Sequence, residues 1–145
     1  MSLKNFIAKH FLVFGIVLLL ISNIFTATIV WEKAKNEVLI DQFVFSMNAA
    51  NEYFESYERY RNDMDKKNAI SELGSAVKIA YQVDENSRIY KERNLLARFY
   101  DELQRDNDTI PSDFAKDICQ KLSQNPCDMT AYVRLSEVLN QISYS

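Results

Sequence analysis

The sequence predicts an all-α protein in which a single N-terminal transmembrane helix extends into a small extracytoplasmic bundle of four to five helices. Three observations predict it. Only two of the 145 residues are glycine and two proline, against roughly 7% and 5% of an average chain, so the turns that a β-rich fold needs every eight to twelve residues have nowhere to go. Residues 11–30 contain no ionisable group. The remainder repeats apolar residues at alternating steps of three and four, which is helical periodicity.

The apolar segment is the strongest signal. At 1.5 Å per residue its twenty residues make about 30 Å of helix, the thickness of the hydrocarbon layer. Trp31 closes it where an indole favours the interface, and Lys4, Lys9 and His10 precede it. The stretch is longer than the apolar core of a cleaved signal peptide, and no small-x-small site follows, since Ala27 has Phe25 two positions before it. The reading is therefore residues 1–10 as a short cytoplasmic tail, 11–31 as an uncleaved signal anchor and 32–145 as an extracytoplasmic domain. Lys4 and Lys9 face Lys33 and Lys35 across the span, a tie by the Lys/Arg rule that the amino terminus tips toward an inside tail. A reversed topology is the alternative. Cys119 and Cys127, an even pair in an exported-looking domain, are expected to form a disulfide clamping one helix end to the next helix start. Two unpaired core thiols are the competing reading.

From Ile16 to Leu73 there is neither glycine nor proline, so nothing obliges the spanning helix to stop at the bilayer surface. Beyond the polar collar of residues 32–36, Ile40, Phe43, Met47, Ala50, Phe54 and Tyr57 recur at helical steps, with Leu39, Tyr53 and Tyr60 widening the stripe. Such a breadth belongs to a helix packed in a bundle. A second helix is expected from a cap near Asn68, with Ile70, Leu73, Val77 and Ala80 inward. Residues 84–87 read as a turn opening a third, with Ile89, Leu96, Phe99 and Leu103 inward, ended by Asp106-Asn107-Asp108-Thr109 and Pro111. Ser112 is expected to cap a fourth carrying Phe114, Ile118, Cys119 and Leu122. Asp128 is expected to cap a fifth carrying Tyr132, Leu135, Leu139 and Ile142.

Composition excludes several functions. With Gly15 and Gly74 alone, no glycine-rich phosphate loop can form. Of 17 basic and 20 acidic groups, two and none lie in residues 1–31, which leaves a net charge of −5 for residues 32–145. An acidic domain with interspersed signs is a poor nucleic-acid ligand. The single histidine lies far along the chain from both cysteines, so no Cys/His nucleophile pair and no zinc site is expected. The reading is of a protein without catalytic, metal or cofactor residues.

What remains is binding. Tyr53, Tyr57 and Tyr60 share one helix face and form a candidate partner face, tyrosine offering large rigid area with a polar tip. Inside the span, Gly15, Ser22, Asn23 and Thr26 gather small and polar groups on one side, a pattern suited to close helix approach and cross-helix hydrogen bonds. Gly15, Ser22 and Thr26 fit one three-four phase with Ile40, Phe43, Met47, Ala50, Phe54 and Tyr57, with Asn23 beside it, which predicts a continuous association seam. The functional expectation is a protein-binding accessory, scaffold or inhibitory subunit of a membrane or envelope assembly. Its partners are the lipid bilayer and another membrane or envelope protein or a second copy of itself, with no nucleic acid. The alternative is a ligand-sensing helical ectodomain that signals through a membrane partner.

Overall fold

In the computed structural model, residues 3–105 and 109–143 are described, with residues 3–9, Leu12 and Ser143 described by backbone only. Every element among them is helical: α1 (Leu3–Tyr60), α2 (Asp63–Ala80), α3 (Arg88–Lys91), α4 (Arg93–Gln104), α5 (Ser112–Gln124) and α6 (Met129–Ser143). The chain divides into two units, Met1–Glu37 and Val38–Ser145. In the first, α1 is long and apolar enough to cross a membrane, and none of the described side chains in its apolar stretch is buried.

In the second unit the expected stripe of α1 goes inward: Phe43, Met47, Ala50 and Phe54 are fully buried. The helix stops at Tyr60 without glycine or proline, because Arg61 takes a left-handed conformation (φ 53°) and donates its N–H to the Tyr57 carbonyl at 2.8 Å. Asn62 then caps α2, its Oδ1 accepting the Met64 N–H at 3.1 Å. The expected cap at Asn68 is thus corrected. Asn68 lies inside α2, and Asp63 and Asp65 occupy the first turn, where carboxylates complement the helix dipole. Across this elbow Ser56 Oγ donates to Asp65 Oδ2 at 2.8 Å.

The buried face of α2 is small: Ala69, Gly74, Ala76 and Ala80 beside Leu73 and Val77. It lets α4 come close. A Cβ at Gly74 would stand 2.8 Å from the Tyr100 ring, so the ring occupies the space that any other residue would fill. After α2, Asp84 and Ser87 build the expected turn, and Ser87 Oγ accepts the Tyr90 N–H at 3.2 Å. The third helix is broken at Glu92 (φ −96°, ψ 6°) into α3 and α4. Arg93 secures the break, donating to the Tyr90 carbonyl at 2.6 Å with its guanidinium 3.8 Å from the Tyr90 ring centroid. Ile89, Leu96, Phe99 and Leu103 are buried as expected. α4 ends at Gln104, and the Asp106–Asp108 part of the expected terminating turn lies outside the described residues.

Ser112 does not cap α5. It is the first helical residue, Pro111 holds the cap position without a side-chain bond, and Asp113 Oδ1 accepts the Phe114 N–H at 2.8 Å. Asp128 does cap α6, accepting from Thr130 at 2.9 Å. Tyr132, Leu135 and Leu139 are buried along α6. Asp117 ties α5 to α6 through Arg134 at 2.6 Å while also holding Lys121 at 2.8 Å.

The expected disulfide is corrected as well: Cys119 and Cys127 are both free thiols. Their surroundings explain why. Cys119 faces the core from the middle of α5, with its thiol pushed up to about 12 by burial, whereas Cys127 is exposed in the connection after Asn125. That connection is held instead by hydrogen bonds, Cys127 N–H to Asn125 Oδ1 at 3.1 Å and the Tyr132 hydroxyl to the Pro126 carbonyl at 2.9 Å.

Candidate interaction surface

The tyrosine face comes from the last three turns of α1. With Phe54 and Ala50 committed to the core, the neighbouring positions point outward. Tyr53 and Tyr60 are exposed and Tyr57 is half-buried. Cations surround them: Arg61 and Lys66 stand 5.7 and 6.0 Å from the Tyr57 ring centroid, and Arg59 stands 5.9 Å from that of Tyr60. Arg59 is also paired to Glu55 at 3.0 Å, and Glu58 is paired to Lys116 of α5. The pair holds the Lys116 ammonium above its ordinary range, first through the hydrogen bond to Glu58.

Two clefts adjoin this corner, sharing Lys66 and Leu103 in their walls. One has Lys67, Ile70 and Tyr100 on its sides, the other Phe54, Arg61 and Ile110. Sequence reasoning missed both. Their residues come from α1, the elbow, α2, α4, the segment before α5 and the first turn of α5, so no local spacing announces them. It also missed Val38 and Phe45 of α1, which are 55% and 72% exposed and flank a shallow cleft of about 520 Å³ with Ile79. Their seven-residue separation on the side away from Phe43 and Met47 is the signal that could have found them.

Within the apolar stretch, Ser22, Asn23 and Thr26 are exposed, and nothing lies within 4 Å of where a Gly15 side chain would begin. Thr26 donates its hydroxyl to the Ser22 carbonyl at 2.9 Å, and Thr28 donates to Ile24 in the same way. Both threonines are thereby satisfied inside their own helix. The Asn23 amide has no partner among the described residues. The expected continuous seam does not survive, because Phe43, Met47, Ala50 and Phe54 are consumed by the core of the second unit.

Among the described residues no group of three or more His, Cys, Asp or Glu side chains is placed to hold a metal ion. No family model, curated protein or solved structure matches the chain.

Proposed function

We propose that the chain is a single-pass membrane protein whose helical domain, on the extracytoplasmic side, binds another protein as an accessory, scaffold or inhibitory subunit of a membrane or envelope assembly. The observation that carries this reading is the apolar stretch of α1, in which no described side chain is buried and whose polar groups are the hydroxyls of Ser22, Thr26 and Thr28 and the Asn23 amide, the last without a partner among the described residues. Lipid is the natural cover for the apolar side chains. It cannot satisfy an amide, and an amide near the bilayer centre is stabilised when another helix supplies a donor and acceptor.

Asn23→Leu is expected to weaken assembly with a membrane partner by about 1 kcal/mol while leaving insertion and the domain intact. Crosslinking and co-purification of the variant against the natural chain measure it. Unchanged assembly removes the span from the interface.

With the disulfide gone, Lys4 and Lys9 against Lys33 and Lys35 remain a tie by the Lys/Arg rule, so a topology measurement decides the outer placement. Thiol labelling tests it directly. A membrane-impermeant maleimide is expected to modify Cys127 in intact cells and to leave the buried Cys119 untouched until the domain is unfolded. Labelling of Cys127 only after permeabilisation reverses the topology.

A further inference from the structure

Along α1, alternating steps of three and four residues that pass through Asn23 give Ile16, Leu19, Asn23, Thr26 and Val30, and then Lys33 and Glu37 just past the apolar stretch. That is the heptad spacing of a helix packing along one seam. Each of these side chains is exposed, and all of them belong to the first unit. None is among the α1 residues that the core of the second unit consumes.

Three properties of the seam select a second copy of this chain as its occupant. The first is the amide itself. It carries a donor and an acceptor in one group, so two such amides satisfy each other with no further polar side chain. Thr26 makes no competing demand, since its hydroxyl already donates to the Ser22 carbonyl. The second is depth. Two copies inserted in the same direction hold Asn23 at one level of the bilayer, whereas an unrelated helix has to supply a matching donor and acceptor there independently. The third is charge. Parallel identical helices set each position against its own copy, so a seam whose charges share one sign repels itself. Lys33 and Glu37 are opposite in sign and four residues apart, and neither has an ion-pair partner among the described residues. In a parallel pair the lysine of each copy can therefore meet the glutamate of the other.

We propose, on the reading of α1 as a membrane span, that the span forms a parallel homodimer. In it the Asn23 Nδ2 of each copy donates to the Asn23 Oδ1 of the other, Ile16, Leu19 and Val30 pack on either side of that pair, and Lys33 and Glu37 pair reciprocally beyond the apolar stretch. One polar residue at a seam position fixes the alignment of two helices that apolar side chains alone would allow to slide.

The test uses the full chain, labelled at the exposed Cys127 with a donor or an acceptor fluorophore and reconstituted into phosphatidylcholine vesicles at a series of lipid ratios. Energy transfer between natural copies is expected to follow a single dimer curve as lipid is added. Asn23→Leu is expected to raise the dissociation constant about fivefold, the equivalent of one interhelical hydrogen bond in lipid. Thr28→Leu, on the other side of the helix with its hydroxyl satisfied by the Ile24 carbonyl, is expected to leave it unchanged. At low ionic strength, Lys33→Glu and Glu37→Lys are each expected to weaken self-association about threefold. A mixture of those two variants is expected to recover it, because one then carries two anions on the seam and the other two cations. Energy transfer no greater than that of randomly placed labels, indifference to Asn23→Leu, or no recovery on mixing the charge variants overturns the homodimer. If the natural chain floats with the vesicles as a monomer while a different membrane protein co-purifies with it, the homodimer falls and the subunit reading stands. If the chain does not float with the vesicles, the membrane reading itself falls.

Discussion

Phe54→Ala is expected to destabilise the helical domain by about 3–5 kcal/mol, whereas Phe45→Ala, the same substitution nine residues earlier on the same helix, is expected to change stability by no more than about 0.5 kcal/mol. The difference is burial. Phe54 is fully enclosed in the core with Phe43, Met47 and Ala50, while Phe45 is 72% exposed. Truncating an enclosed phenylalanine loses its transfer free energy and leaves a cavity that neighbours fill only in part. Since single domains are stable by about 5–15 kcal/mol in all, the Phe54 variant loses a large share of that margin. Urea unfolding of the full chain in detergent, followed by reactivity of the buried Cys119 thiol, measures both variants without interference from the apolar stretch. Equal losses at the two positions would mean that α1 presents a different face to the core.

The contrast between those two phenylalanines was legible in the sequence, because Phe43, Met47, Ala50 and Phe54 recur at steps of four, three and four and Phe45 falls outside that phase. The same periodicity located the inward faces of α4, α5 and α6. The elbow was not legible. Helix ends are read from glycine, proline and caps, and α1 ends instead on an arginine in a left-handed conformation, a state that costs a non-glycine residue roughly 1–2 kcal/mol and that the Asn62 cap of α2 directly follows. The break at Glu92 was hidden in the same way, since Arg93 and Tyr90 restore by a hydrogen bond and a stacked guanidinium what the ladder loses there.

The interaction surface was legible only in part. Tyr53, Tyr57 and Tyr60 could be placed on one face from spacing, but their cationic neighbours arrive from the elbow and from α2. One cleft beside them joins residues as distant as Phe54 and Ile110, and such proximity is a property of packing, not of pattern. The disulfide expectation failed for a related reason. Sequence separation and cysteine parity say nothing about which way a helical side chain points, and Cys119 is turned into the core.

Raising the pH from 9 toward 12 is expected to destabilise the domain steeply, by up to about 1.4 kcal/mol per pH unit from Cys119 alone. The sign follows from burial. A thiol ordinarily titrates near 9, and enclosure in the core pushes Cys119 up to about 12. Below pH 9 the folded and unfolded states both keep the proton, so the group contributes nothing to the pH dependence. Between 9 and 12 the unfolded chain releases it and the folded chain does not, so every step upward favours unfolding. Two other groups act in the same direction at higher pH. Tyr132 is pushed up mainly by burial, so from about pH 10 the unfolded state gains by ionising it. Lys116 is raised chiefly by its hydrogen bond to Glu58, and that stabilisation is complete below about 10.5 and is lost as pH climbs through the folded value. The interval from pH 9 to 10 therefore isolates the thiol. Cys119→Ala is expected to be less stable than the natural chain at pH 7, through the small cavity it leaves, yet to show a flatter stability profile across that interval. Urea midpoints read by near-ultraviolet circular dichroism compare the two chains without relying on the thiol. Parallel profiles would show that the Cys119 thiol reaches water in the folded state and that α5 does not turn this face inward.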